Sequence, residues 1–270
     1  MLSATQHAAV TSDAARPLQI LAGPGSGKTR VLTSRVAWLV RDSATPIAPE
    51  RCVVVTFTNR AANEMRARLE SMIGADRTRR LVLGTFHAVC VRFLRRWGTR
   101  LGLDPRFTIA DADDARRLLR DVERDADAAL SAISRAKAHG WTPDELRASG
   151  THAPGSPAHT EHLALCRTYA AYQQQLRASH ALDFDDLLLL GVRLFREHPE
   201  LTAHIDHVLV DEFQDTNAVQ YELLRRLSPH VSVVGDPDQS IYSWRHADMR
   251  HIERMHLDFP GLHRVLLEEN

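Results

Sequence analysis

An apolar run, Leu18 to Ala22, leads directly into Gly23-Pro24-Gly25-Ser26-Gly27-Lys28-Thr29-Arg30 and then into helix-spaced apolar residues as far as Val40. This order reads as a buried strand, a tight loop and a helix. Glycines let the backbone turn its N–H groups inward, where with the helix N-terminus they form an anion-sized cradle. Lys28 then reaches the outer phosphates of a nucleotide, and the Thr29 hydroxyl a magnesium ion. The strict pattern opens with Gly where this chain has Ala22, so the match is A-x-x-G-x-G-K-T. A plain Gly-rich turn before a helix is the alternative, and it leaves the Lys-Thr pair at the loop's end unexplained. Composition sharpens the point. Lys and Arg together number 34, yet lysine stands only at 28 and 137. A compact ammonium fits a phosphate cradle that a planar guanidinium fork would crowd.

At 270 residues and 44% hydrophobic, the chain has material for one large domain or two moderate ones. Acidic residues also number 34, so the formal charge is zero, and any nucleic-acid contact must come from local patches. The N-terminal residues lack the pattern of a secretory signal, and no run approaches the roughly 18 apolar residues of a membrane span, so a cytoplasmic, nucleoid-associated protein is expected. Cys52, Cys90 and Cys166 are too few and too scattered for a disulfide framework or a zinc site, as suits a reducing compartment.

Leu2 to Val10 reads as a short helix ahead of the phosphate-loop strand, and Gln6 in it carries an amide able to pair with an adenine edge or simply to face solvent. Arg51 to Phe57 is a second buried strand, followed by Thr58-Asn59-Arg60 and a helix over 61–72. Leu81 to Phe86 repeats the design, then His87 and a helix through Trp97. Strands alternating with helices predict a parallel, doubly wound α/β sheet with its functional loops at the strand C-termini. Arg92, Arg95, Arg96 and Arg100 interleave with Phe93 and Trp97, which suits a nucleic-acid strand or reflects the arginine-rich composition.

From about residue 104 to 182 the alternation stops. One helix capped by Asp111 or Asp113 is expected to run through Leu118, Leu119, Val122, Ala126, Leu130 and Ile133. Thr142-Pro143-Asp144-Glu145 is a capping box, and 161–179 a further helix. The block reads as an all-helical insertion. Asp183-Phe184-Asp185-Asp186 then caps an apolar helix over 187–196; macrodipole complementarity explains these carboxylates better than a metal does.

His207 to Asp211 is a buried strand delivering Asp211-Glu212 to its C-terminal end, as a phosphate-loop site requires: one carboxylate for the magnesium shell, one for the attacking water. Val231 to Val234 ends in Gly235-Asp236-Pro237-Asp238-Gln239, placing Gln239 to touch a terminal phosphate. Tyr242, Trp244 and Arg245 follow, either as a stacking surface beside that sensor or as ordinary core. His204 with His207 and His159 with His162 lack the further ligands of a metal site.

Six segments taken together, LSATQHAAV, AGPGSGKTR, VVTFTNRAANEM, GTFHAVCVRFLR, VLVDEFQDTN and VVGDPDQSIYSWR, with LDFDDLL before the fifth, resemble the N-terminal half of superfamily-one DNA helicases of the UvrD/Rep/PcrA type. The resemblance implies a RecA-like P-loop NTPase motor over 1–104 and 183–270 with the helical insertion at 105–182. It also implies ATP and Mg2+ as cofactors and ATP-driven 3′-to-5′ movement on single-stranded DNA, with unwinding at single-strand/double-strand junctions. Repair or replication proteins are the implied partners. On this resemblance Gln6 reads adenine and Arg30 stacks on it. Gly23, Pro24, Gly25, Ser26 and Gly27 cradle phosphate with Lys28. Thr29 and Asp211 hold magnesium, Glu212 directs the water and Gln239 senses the γ-phosphate. Phe57, Asn59, Arg60, His87, Tyr242, Trp244 and Arg245 line the DNA track. Ser3, Ala88, Arg60 and His246 depart from the family's usual Asn, Ser, Lys and Gly. The chain ends at Asn270, where the family continues into a second motor domain, so that domain is expected from further sequence or another chain. A nucleotide- and DNA-binding module with little turnover, or the motor half of a helicase–nuclease, are the alternatives.

Overall fold

The computed structural model describes residues 2–120, 122–236 and 250–267. The chain opens with α1 (Ala4–Thr11), β1 (Leu18–Ala22), α2 (Lys28–Ala37), β2 (Cys52–Thr56), α3 (Asn59–Ile73), α4 (Ala75–Arg80), β3 (Val82–Thr85) and α5 (Phe86–Trp97). A middle block follows, with β4 (Thr108–Ile109), α6 (Ala112–Arg120), α7 (Ala126–Ala138), α8 (Pro143–Ala148), α9 (Pro157–Ala178), β5 (Ala181–Leu182) and α10 (Phe184–Glu197). The α/β alternation then resumes through β6 (His207–Val210), α11 (Ala218–Leu227), β7 (Val231–Gly235), α12 (Arg250–Asp258) and β8 (His263–Leu267). The chain divides into two compact units, residues 1–89 with 195–270, and residues 90–194.

The first unit is built on six strands in the order β3-β2-β6-β7-β1-β8, every pairing parallel. All residues of β2, β6 and β7 are buried, because helices cover both faces of the sheet and every side chain must be apolar or satisfied internally. One satisfied exception organises the region behind the phosphate loop. Arg35 of α2 is fully buried and donates through Nη1 to the carbonyls of Ala9, Val10 and Ser12 at 3.2, 3.0 and 2.8 Å. Its Nε donates to Ser232 Oγ at 2.7 Å, so one guanidinium joins the C-terminal end of α1, helix α2 and strand β7. Burial lowers its pKa to about 10, still charged at neutral pH. His207 bonds the same Ser232 hydroxyl at 2.8 Å, and burial holds its imidazole well below the usual range; it is a core residue.

The second unit corrects two expectations. It is not wholly helical: β4 and β5 form a two-residue parallel pair, Thr108 with Ala181 and Ile109 with Leu182. The single helix expected from Asp111 through Ile133 is two, α6 and α7, because Asp125 accepts the N–H of Ala128 and starts a new helix. The capping box at Thr142 and Glu145 forms as expected. The chain's second lysine lies here. Lys137 is 1% exposed, and its Nζ is 2.6 Å from Asp183 Oδ2 and 2.8 Å from Asp186 Oδ1, between the rings of Tyr169 and Tyr172. Burial works against its charge, but Asp186 and Asp183 outweigh that and raise its pKa. Asp183 Oδ1 also accepts the Asp186 N–H at 2.8 Å, the helix-capping role expected of this cluster.

Candidate functional site

Strand order places the phosphate loop. β1 lies between β7 and β8, so the loop leaving β1 emerges beside the end of β7, and the end of β6 is one strand farther, about 10 Å across the sheet. Gly25 and Gly27 both adopt φ +79°, the left-handed region where a side chain is strained, and Gly27 is the residue from which α2 starts. A Cβ at Gly27 would sit 3.2 Å from Gln6 Nε2. Gln6 is therefore placed against the loop: Nε2 donates to Ser26 O at 2.9 Å while Oε1 accepts the Ser3 N–H at 3.1 Å in a capping box. Ser3 makes that box by accepting the Gln6 N–H. Gly23, Pro24 and Ser26 complete the loop, with Ser26 Oγ donating to Gly23 O at 2.7 Å. Arg30 is exposed on the first turn of α2.

Lys28 Nζ lies inside the cradle, donating to Ala22 O at 3.3 Å, Gly23 O at 3.4 Å and Asp236 Oδ2 at 3.0 Å. Asp236 follows β7 and is 1% exposed. Thr29 Oγ1 donates to Asp211 Oδ2 at 3.2 Å, bringing together the two oxygen ligands expected for magnesium. Burial first and the neighbouring Glu212 second push the Asp211 carboxyl up to about 6. A divalent cation would offset both causes, so hard oxygen donors and a cation-short carboxylate fit Mg2+. The αL glycines, the α2 N-terminus and Lys28 likewise fit a phosphate chain.

Glu212 adopts φ 50°, ψ 44°, one of two non-glycine residues with positive φ among the described residues. The following turn holds it there, with Asp215 N donating to Glu212 O at 2.9 Å. Sequence reasoning missed two neighbours. Asp236 is Lys28's carboxylate partner, and Gln214, 2% exposed, donates from Nε2 to Glu212 Oε2 at 2.8 Å and accepts the Asp236 N–H at 3.0 Å. The only sequence signal was their place just after buried strands.

Farther along the same edge, β2 and β3 are followed directly by Phe57 and Phe86, whose rings meet edge to face at 5.7 Å and 74°. Asn59 and Arg60 are exposed at the start of α3, Arg60 paired with Glu64 at 3.0 Å. His87 is half-buried, and burial lowers its pKa. β2 is three strands from β1 and β3 four, so Phe57, Asn59 and Arg60 stand about 14 Å, and Phe86 and His87 about 19 Å, along the edge from the phosphate loop. Gln239, Tyr242, Trp244 and Arg245 lie outside the described residues. No group of three metal-ligating side chains occurs among the described residues, and no helix there is long and apolar enough to cross a membrane.

A family model described as UvrD/REP helicase N-terminal domain matches residues 2–260. The ATP-dependent DNA helicase PcrA of Leuconostoc citreum is 41% identical, covering 94% of this chain and 35% of that protein. The PcrA proteins of Staphylococcus aureus and Staphylococcus epidermidis are each 38% identical, with 94% of this chain and 36% of theirs covered. The chain thus spans about a third of the length of these curated relatives.

Proposed function

The chain belongs to the UvrD/REP helicase N-terminal domain family, and on that premise we propose that it is the ATP-binding motor portion of an ATP-dependent DNA helicase. The α/β unit is the motor in this reading and the helical unit its insertion. The observation that carries it is the convergence of Lys28, Thr29, Asp211 and Glu212 at the C-terminal edge of one parallel sheet. Bound magnesium would neutralise charge on the β- and γ-phosphates. Lys28 then exchanges Asp236 and two backbone carbonyls for phosphate oxygens. Thr29 and Asp211 orient the metal shell, and Glu212 holds and deprotonates the attacking water.

DNA runs past Phe57, Asn59, Arg60 and His87 in this reading, as a single strand gripped through phosphate contacts and stacking. Movement is 3′ to 5′, by carry-over from the related helicases, and junctions and repair or replication proteins are the proposed partners. The decisive experiment is ATP hydrolysis by this chain with Mg2+, with and without single-stranded DNA. Stimulated turnover abolished by Glu212→Gln supports the proposal. Unchanged ATP binding in Lys28→Ala would refute the phosphate-loop assignment.

A further inference from the structure

We propose that Gln214 is a positioning residue that couples the Glu212 carboxylate to the end of β7, so that displacement of Asp236 is passed to Glu212. The inference rests on the role proposed for Glu212.

A buried primary amide must satisfy its polar atoms internally. Gln214 does so on two adjacent strands at once: Nε2 donates to Glu212 Oε2 at 2.8 Å after β6, and Oε1 accepts from Asp236 N at 3.0 Å after β7. The surroundings are shaped for it. A Cβ at Gly235 would lie 2.8 Å from Gln214 Oε1, closer than packed atoms allow, and a tight 3.3 Å from Gln214 N, so a side chain there would push the amide from its place. Glu212 is held in the left-handed region next to this bond, where a small change in the loop re-aims its side chain.

Asp236 makes the coupling useful, because the same residue engages Lys28. Its carboxylate holds Lys28 Nζ at 3.0 Å while its N–H is held by Gln214. Hydrogen bonds therefore connect Lys28, Asp236, Gln214 and Glu212 in series, the link from Asp236 to Gln214 running through the Asp236 backbone N–H. Arrival of a phosphate that draws Lys28 away removes the cation from Asp236, and Gln214 registers the resulting shift of the β7 end at Glu212. Phosphate binding at Lys28 and orientation of the water at Glu212 then become one event.

Two readouts test this. Thermal melting of the free chain, Gln214→Met, Glu212→Ala and the double variant forms a cycle, repeated with a non-hydrolysable ATP analogue and Mg2+. The expected result is non-additive melting in the free chain and a changed coupling with the analogue bound. Additive shifts in both states, or a coupling the analogue leaves unchanged, overturn the proposal. In steady-state hydrolysis, Gln214→Met and Gly235→Ala are expected to lower kcat about 10- to 100-fold, as for loss of a hydrogen bond to a charged group, with KM within about threefold. A purely structural Gln214 would lower the melting temperature without that split, and unaltered kcat refutes the coupling. Failure of the parent chain to bind ATP brings down the nucleotide reading instead, while the free-chain cycle still reports on the Gln214–Glu212 bond.

Discussion

Asp236→Asn perturbs the phosphate loop at its buried ion pair with Lys28. The Lys28 side chain is 10% exposed and that of Asp236 1%, so solvent screens their attraction little. Removing one partner of a buried pair costs about 3–5 kcal/mol when the survivor is left alone. Lys28 is not left alone, since the Ala22 and Gly23 carbonyls stay at 3.3 and 3.4 Å and the new amide oxygen can still accept from Nζ. Trading a charge-assisted bond for a neutral one reduces the expected loss to about 2 kcal/mol. That corresponds to a melting drop of roughly 4–8 °C for a unit of this size. Bound phosphate resupplies the missing anion, so by linkage ATP should bind up to about 30-fold more tightly to the variant. Differential scanning fluorimetry with and without Mg-ATP, plus titration with a fluorescent ATP analogue, measures both quantities. Weaker ATP binding by Asp236→Asn would show that the carboxylate assists the nucleotide and does not compete with it, and the reasoning would fail.

Asp211, raised to about 6 from 3.8, contributes stability that is present below about pH 4 and lost as pH rises through 6. Asp211→Asn should therefore melt above the parent at pH 7, by the equivalent of about 2–3 kcal/mol, and no differently at pH 4; Mg2+ should narrow the gap. Asp185 shifts in the same direction through burial, so only the difference between parent and variant isolates Asp211. Lys137→Met leaves Asp183 and Asp186 buried without their cation and should destabilise the helical unit by about 3–5 kcal/mol, read as faster hydrogen exchange in α7 and α10. Gly27→Ala forces a side chain into φ +79° against Gln6, costing about 1–2 kcal/mol of stability and more than tenfold in ATP affinity by calorimetry.

The sheet was legible because strands covered on both faces announce themselves as mostly apolar, β-branched runs without alternation: Cys52–Thr56, His207–Val210 and Val231–Gly235 have no solvent face to encode. The phosphate loop was legible for a different reason, since its glycines, Lys28 and Thr29 are adjacent in sequence. Contacts between distant segments were not. Nothing around Asp236 marks it as the partner of Lys28, 208 positions away, and Gln214 looks like any polar residue in a turn until β6 and β7 are seen side by side. The break between α6 and α7 was hidden because apolar residues keep helical spacing across it, while Asp125 acts through one local hydrogen bond. Two-residue strands such as β4 and β5 are too short to carry a pattern at all.

The scarcity of lysine has a practical reach. Only Lys28 and Lys137 carry side-chain amines, and each is buried against carboxylates. Amine-directed reagents, which need an accessible nitrogen, should therefore acylate these side chains slowly in the folded chain. Acylation at Lys28, resolved from Lys137 by peptide mapping, then becomes a footprint of the cradle's state: whatever separates Lys28 from Asp236 without covering it speeds the reaction, and whatever covers it stops it.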